Sequence, residues 1–499
     1  MNIIVLVSDT FRYDYLGCNG NRWIGTEELD RFARRAVCFD RHHLSSFPTI
    51  PNRTDLFTGR FSFPFHGWQP LDRQVPVMST LFGDAGYQSQ LICDTPHLMG
   101  RGHHFDRGFT GACWIRGQEG DRPLLKGNLQ PRLRVPVDGK TRVDPHMRDT
   151  KWGNLATLHT QTNRDWAWEE DRFCVQTART ASRWLEENWD APPFLLWVDF
   201  FDVHEPWDPP EYLVSRYDRS GYDGPPMIHP NYGPASAYTK KELANLAAHY
   251  AAELFLVNKW VGHVLRKIEE LSLFDDTIVV FTSDHGMFLG EHNRTGKSNI
   301  HPQDKRIWPL YRELTHIPLM IAAPGVEGGR RVGEITQSVD LLPTLLDVAR
   351  VGSGELVMHG HSLRPLLGAG GGKGKVAWPR KYAFSSTFLR NGGPTVTDRR
   401  WTFVAYGEKG GRPELYDMKA DPAQRRNVIR RHPTVARRMA RALRGFACDS
   451  SRRLTIAACR RYTKWLAKSS AVMPTQTIAS SQCPANRAAV ARMMEASAP

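Results

Sequence analysis

The sequence has no long hydrophobic run. Its first apolar stretch, residues 3–7, is five residues, too short for the core of a secretion signal or a membrane span. No basic segment precedes it and no small-residue cleavage site follows. The expectation is a cytoplasmic protein. Cysteine is also sparse. The eight cysteines, at 18, 38, 93, 113, 174, 448, 459 and 483, include no CxxC pair. That excludes a small disulfide scaffold and predicts buried free thiols. Acidic residues are missing from one place only. Residues 425–470 hold fourteen Lys/Arg and a single acid, Asp449. This segment carries almost all of the net charge of +14, and residues 1–424 are balanced. The basicity is local, so it does not describe a protein that coats nucleic acid along its whole length.

What is present is ordinary for a globular chain: 41% hydrophobic and 24% charged residues. Disorder, collagen and coiled coil are excluded. A length of 499 residues suggests two or three units. Residues 3–8, 89–93, 194–201, 277–282 and 319–322 read as buried strands, apolar and rich in β-branched residues. Residues 26–36, 51–58, 79–85, 172–188 and 239–271 read as helices. Strands alternating with helices predict an α/β three-layer sandwich around a large, mostly parallel central sheet. A Gly/Pro-rich stretch over 366–380 reads as a linker. It separates a catalytic domain, 1–365, from a small C-terminal α+β subdomain, 376–428, with strands near 382–388 and 401–406. A basic helical tail fills 429–499. Residues 110–165 lack periodicity and read as a surface insertion, an active-site flap.

Three predicted strands end on acidic or imidazole groups. Asp9 follows the first, Asp202 and His204 follow 194–201, and Asp284-His285-Gly286 follows 277–282. Ligands of open parallel sheets sit at the carboxyl ends of strands, so the three ends define a candidate site. A fourth element is Thr49-Ile50-Pro51-Asn52-Arg53. Pro51 suits a first helical position, which places Thr49 just before a helix N-terminus. Such an end attracts anions, and Arg53 one turn on adds bidentate contacts to an oxyanion.

These blocks resemble the sulfatase family of the alkaline phosphatase superfamily. The opening strand followed by Asp9-Thr10-Phe11-Arg12 resembles the family's Asp-x-x-Arg start. Thr49-Ile50-Pro51-Asn52-Arg53 with Thr58-Gly59-Arg60 resembles its nucleophile motif, Cys/Ser-x-Pro-Ser-Arg-x-x-x-x-Thr-Gly-Arg. Thr282-Ser283-Asp284-His285-Gly286 with Gly296-Lys297, then Val339-Asp340-Leu341-Leu342-Pro343-Thr344, then Glu414-Leu415-Tyr416-Asp417 with Asp421-Pro422, follow in the family's order. The resemblance implies an alkaline-phosphatase-like fold and one divalent cation. By position its ligands are Asp9, Asp284 and His285, completed by the Thr49 oxygen. Oxygen donors with one imidazole suit Ca²⁺, Mn²⁺ or Mg²⁺. Arg53, His204 and Lys297 match positions that contact the bound oxyanion, and His204 or His285 assists proton transfer. Thr95 and His97 fall on the family's Lys-x-His substrate segment, whose Lys is absent here.

Two departures carry chemical weight. Thr10 stands where the family often has a second Asp. Thr49 stands where the family has Cys or Ser. Most sulfatases convert that residue to formylglycine, and a threonine cannot become that aldehyde. No formylglycine is expected, and an ester formed on Thr49 must be cleared by water. Threonine nucleophiles of this kind occur in the superfamily's nucleotide pyrophosphatases and phosphoethanolamine transferases. The expectation is a metal-dependent hydrolase of small-molecule or glycan sulfate, phosphate or phosphonate esters. The alternative is a catalytically silent, oxyanion-binding member. Trp152, Trp166 and Trp168 are the aromatic candidates for substrate contact, and His316 with Glu313 is a candidate second metal pair. The arginine pairs of the tail suit an anionic surface. Met439, Leu443 and Phe446 give the same helix an apolar side, which suits packing or an oligomer contact.

Overall fold

The computed structural model describes residues 1–65, 67–119, 121, 159–160, 162–191, 193–230, 232–297, 309–354, 356–368, 376–387, 393–406 and 412–452. Eight strands form the main sheet: β1 (Asn2–Ser8), β2 (Val37–His43), β3 (Gln88–Cys93), β4 (Gly111–Trp114), β5 (Phe194–Phe200), β6 (Thr277–Ser283), β7 (Leu319–Ala322) and β8 (Arg331–Gln337). Their order is β8-β2-β7-β6-β1-β5-β3-β4. Only β7 runs antiparallel to its neighbours.

β1 lies at the centre, and all seven of its residues are buried. Successive side chains of a strand alternate between faces. Ile4 and Leu6 accordingly join one core with α1 (Glu27–Arg35), α4 (Phe173–Asn188) and α5 (Lys240–Glu270). Ile3, Val5 and Val7 join the other core with α2 (Thr49–Thr58), α3 (Met78–Asp84) and α6 (Leu341–Ala349). The result is the expected three-layer sandwich with a mixed, mostly parallel sheet. The long helix α5 starts on a reciprocal cap. The Thr239 hydroxyl accepts from the Glu242 amide (3.2 Å), and the Glu242 carboxylate accepts from the Thr239 amide (2.7 Å).

A second, smaller sheet holds β9 (Ala383–Thr387), β10 (Thr395–Thr397), β11 (Trp401–Val404) and β12 (Glu414–Asp417). The two-residue strand Ser46–Phe47 adds to β9 in parallel. The chain just before α2 is thereby tied to the C-terminal unit. The helix of the basic segment, α7 (Pro433–Arg452), does not stand apart from that unit. Ala436, Met439 and Leu443 are buried with Trp401 and Phe403 of the small sheet and with Phe61 and Phe63. The insertion expected over 110–165 begins as β4, an edge strand of the main sheet. Trp152 and the tail beyond 452 lie outside the described residues. The five described cysteines whose side chains are placed are free thiols. No helix among the described residues is long and apolar enough to cross a membrane.

Candidate active site

The parallel register builds the site. Ser8 of β1 is opposite Ser283 of β6 and Phe200 of β5. Asp9 and Asp284 therefore leave adjacent strands side by side. Asp199, one residue earlier on β5, sits opposite Val7. The helix α2 points its N-terminus at these groups and is buried over its whole length. Its placement is fixed by polar side chains. The Asp55 carboxylate accepts from the amides of Ser46 (2.8 Å) and Ser62 (2.7 Å). Asn52 donates to the Ser46 carbonyl (3.2 Å) and the Ser338 hydroxyl (3.0 Å). The helix begins at Thr49 itself, after Pro48, two residues earlier than expected. Pro51 is tolerated there because the first-turn amides have no partner within the helix. Gly59 closes the helix with φ +64°.

Arg53 is the hub, with no exposed surface. Its guanidinium is 2.7 Å from Asp199 and 3.1 Å from Asp9 and also pairs with Asp284. Thr95 donates to Asp199 (2.6 Å). The Thr10 amide donates to Asp284 (3.0 Å), its hydroxyl donates to Asp9 (2.7 Å) and accepts from Lys297 (3.3 Å). Thr10 holds a left-handed φ of +60° to do so, a strained conformation for a β-branched residue. Lys297 also faces Glu205 at 3.6 Å.

The His285 ring bonds the Gly286 carbonyl through Nδ1 (2.9 Å). Its Nε2 then points a lone pair at Asp284 (3.5 Å), Asp9 (3.7 Å) and the Thr49 hydroxyl (3.4 Å). Burial pushes His285 down to about 3, so the ring is neutral at ordinary pH. Burial, then repulsion from Asp284, raises Asp9 above the usual carboxylate range. One Asp9 oxygen is buried without a hydrogen-bond partner. A neutral imidazole and two carboxylates thus converge within 4.8 Å of one another. Four carboxylates, counting Asp199 and Glu205, face one guanidinium and one ammonium. A divalent cation fits this donor set and closes its charge balance.

A family model described as Sulfatase matches residues 1–351. The chain belongs to the sulfatase family. A second model, described as N-sulphoglucosamine sulphohydrolase, C-terminal, matches residues 301–446. Arylsulfatase of Clostridium perfringens (strain 13 / Type A) is 24% identical, with 86% of this chain and 90% of that protein covered. Arylsulfatase K of Xenopus laevis is 28% identical, covering 89% and 82%. Among solved structures, a phosphonate monoester hydrolase of Agrobacterium radiobacter superposes with a TM-score of 0.68. It is 22% identical, with 90% of this chain and 96% of that one covered. A protein solved with its substrate D-glucosamine-2-N,6-O-disulfate gives a TM-score of 0.67 at 19% identity, covering 90% and 98%. These structures share the alkaline-phosphatase-like fold, and the protein is an ester hydrolase of the sulfatase family.

In this sulfatase-family site, Asp9, Thr49, Arg53, Asp284, His285 and Lys297 come together. His204 stacks on Phe201 at 4.0 Å, and its Nδ1 bonds the Glu205 carbonyl (2.6 Å). Burial, then Lys297, holds His204 well below its ordinary range. His97 packs edge-on against the same Phe201 at 5.6 Å. Thr95 is fully buried, and its hydroxyl is engaged by Asp199 rather than presented at the surface.

The expectation that Asp202 joins this edge does not hold. Its carboxylate accepts from Gln118 and the Cys174 amide (3.1 Å), and it clusters with Cys174 and Glu253. The chain has turned past the strand end by that point. Glu313 pairs with His292 (3.2 Å), while His316 bonds the Asp40 carbonyl (2.9 Å) and stacks on Tyr13. These two residues face different partners. Trp168 is exposed, and Trp166 packs on Phe173. Sequence reasoning missed Asp199, Glu205 and Glu119. Asp199 had a legible signal, a single charge inside an otherwise apolar central strand.

Proposed function

We propose that the protein is a metal-dependent hydrolase of sulfate or phosphate/phosphonate esters, with Thr49 as its nucleophile and no formylglycine. The observation that carries this reading is the placement of the Thr49 hydroxyl. It opens a buried helix at the convergence of Asp9, Asp284 and His285, 3.4 Å from His285 Nε2. Asp9, Asp284 and His285, with the Thr49 oxygen, would hold a divalent cation, which supplies a lower hydroxyl pKa and polarises the ester oxygen. Ca²⁺, Mn²⁺ and Mg²⁺ all suit these donors.

Arg53 and Lys297 carry the positive charge that receives the transferred oxyanion, and the N-terminal amides of α2 add to it. The Thr49 oxygen forms a bond to sulfur or phosphorus as the bond to the leaving oxygen breaks. With Nδ1 engaged by a carbonyl, His204 presents Nε2 as an acceptor. It relays a proton from solvent to the leaving oxygen, while the Thr49 proton is lost to water. Water then cleaves the Thr49 ester, releasing sulfate, phosphate or phosphonate and restoring the hydroxyl. Phosphorus esters suit a plain threonine, whereas sulfatases that use formylglycine expel sulfate by collapse to an aldehyde. His97 lines the leaving-group side.

The test is a matched set of aryl sulfate, phosphate monoester, phosphodiester and phosphonate substrates, each with Mn²⁺, Ca²⁺ or Mg²⁺. Thr49→Ala is expected to lose at least about a thousandfold in kcat. Thr49→Ser, which keeps the hydroxyl, is expected to retain measurable turnover. Full activity in Thr49→Ala would remove the nucleophile assignment. Metal binding without turnover of any ester would favour the silent, oxyanion-binding reading.

A further inference from the structure

On the leaving-group side the Lys of the family pattern is absent. Thr95 occupies that Lys position and is engaged by Asp199 at 2.6 Å. Facing His97 is Glu119, whose carboxylate lies 2.8 Å from His97 Nε2. Burial alone would raise Glu119, but His97, then Lys297 and His229, outweigh it and hold the group below the usual range. It is therefore ionised at neutral pH.

The pair is held rigidly at a partly open edge. The His97 and Glu119 side chains keep 25% and 11% of their surface. His97 packs edge-on against Trp68 at 5.0 Å and Phe201 at 5.6 Å, and its carbonyl is bonded by His103. Glu119 has a left-handed φ of +49°, directly after Gln118, which is anchored to Asp202. Phe201 also stacks on His204, so the pair adjoins the group assigned to the leaving oxygen.

We propose that Glu119 selects the leaving group, favouring an ester whose alcohol carries an ammonium or hydroxyl donor and disfavouring one with a second anionic group. This rests on the ester hydrolysis assigned to Thr49. The physical basis is simple. A buried carboxylate accepts a hydrogen bond from an ammonium or hydroxyl and repels another anion.

The experiment uses the full-length, metal-loaded protein and three size-matched esters with one shared sulfate or phosphate centre. Their leaving groups carry an ammonium, a hydroxyl or a carboxylate. In the wild type, kcat/KM is expected to favour the ammonium over the carboxylate ester by on the order of tenfold or more, mainly through KM. Glu119→Gln is expected to compress that ratio towards one, and Glu119→Asp to preserve its direction. A preference for the carboxylate ester, or an unchanged ratio in Glu119→Gln, overturns the inference. A second readout separates it from the reaction itself. Titration calorimetry of the three esters on Thr49→Ala measures affinity without turnover. If no ester is hydrolysed by the wild type but the affinities keep the ammonium-first order, the nucleophile reading fails and the selectivity stands. Equal affinities remove the selectivity whatever the turnover.

Discussion

At the scale of single residues, the molecule separates two groups of carboxylates that the sequence runs together. Asp9, Asp199 and Asp284 are compensated by Arg53. Asp94, Asp202 and Glu253 are not. The cation that acts on Asp202 and Glu253 is Arg172, and its guanidinium bonds the carbonyls of Asp208 and Trp168. Burial, the largest cause in each case, raises Asp94 and Glu253 well above the usual range and Asp202 to about 6. The sign of the pH effect follows. The unfolded chain releases the Asp202 proton near pH 4, while the folded protein keeps it to about pH 6. Over that window the folded state binds more protons, so stability falls as pH rises. Asp202→Asn is expected to flatten this slope and to gain about 2 kcal/mol at pH 8 relative to pH 4. Denaturant melts at both pH values would show it, and an unchanged slope would mean that Asp202 itself is ionised in the folded state. The residue scale is also where the sequence was hardest to read. Asp9, Arg53, Asp284 and His285 sit in recognisable motifs. Asp199, Glu205 and Glu119 sit in none.

At the scale of elements, legibility followed burial. β1, β5, β6 and β7 are buried throughout, and their apolar runs predicted them to within a residue or so. β2 and β8 were not predicted. Val37–His43 ends Asp-Arg-His-His and Arg331–Gln337 mixes charged and apolar residues. Both lie towards one edge of the sheet, where a strand needs no continuous apolar run. The central strand sets the price of a defect near the site. Leu6 is fully buried two residues before Ser8, and Leu6→Ala is expected to cost about 2–5 kcal/mol. The loop after β6 has a tighter requirement. A Cβ on Gly286 would lie 2.0 Å from the Glu313 carbonyl oxygen. Since the Gly286 carbonyl holds His285 Nδ1, Gly286→Ala is expected to displace His285. Metal affinity should fall at least about tenfold, measured by calorimetry under conditions where circular dichroism shows the fold intact. Wild-type affinity in the variant would detach His285 from the cation.

At the scale of the whole molecule, the basic segment acquires a structural role that its charge does not suggest. Its helix α7 presents Ala436, Met439 and Leu443 to the small sheet and to Phe61 and Phe63, while its arginines at 437, 438, 441 and 444 leave the apolar stripe free. Phe61 follows α2 directly, and Ser46–Phe47, just before α2, pairs with β9 of the same sheet. The C-terminal unit therefore grips helix α2 at both ends. A strand pairing and an aromatic cluster so arranged couple the stability of this unit to the position of Thr49. Leu443→Ala removes buried side-chain atoms and is expected to cost about 2–5 kcal/mol. Replacing Arg441 by Gln, on the exposed side, is expected to change stability by less than about 0.5 kcal/mol. If the grip on α2 is real, Leu443→Ala also lowers kcat at temperatures well below its melting midpoint, because Thr49 loses its fixed position. A variant that melts earlier yet keeps wild-type kcat in the cold would show that α2 is held by the main domain alone, through Asp55 and Asn52.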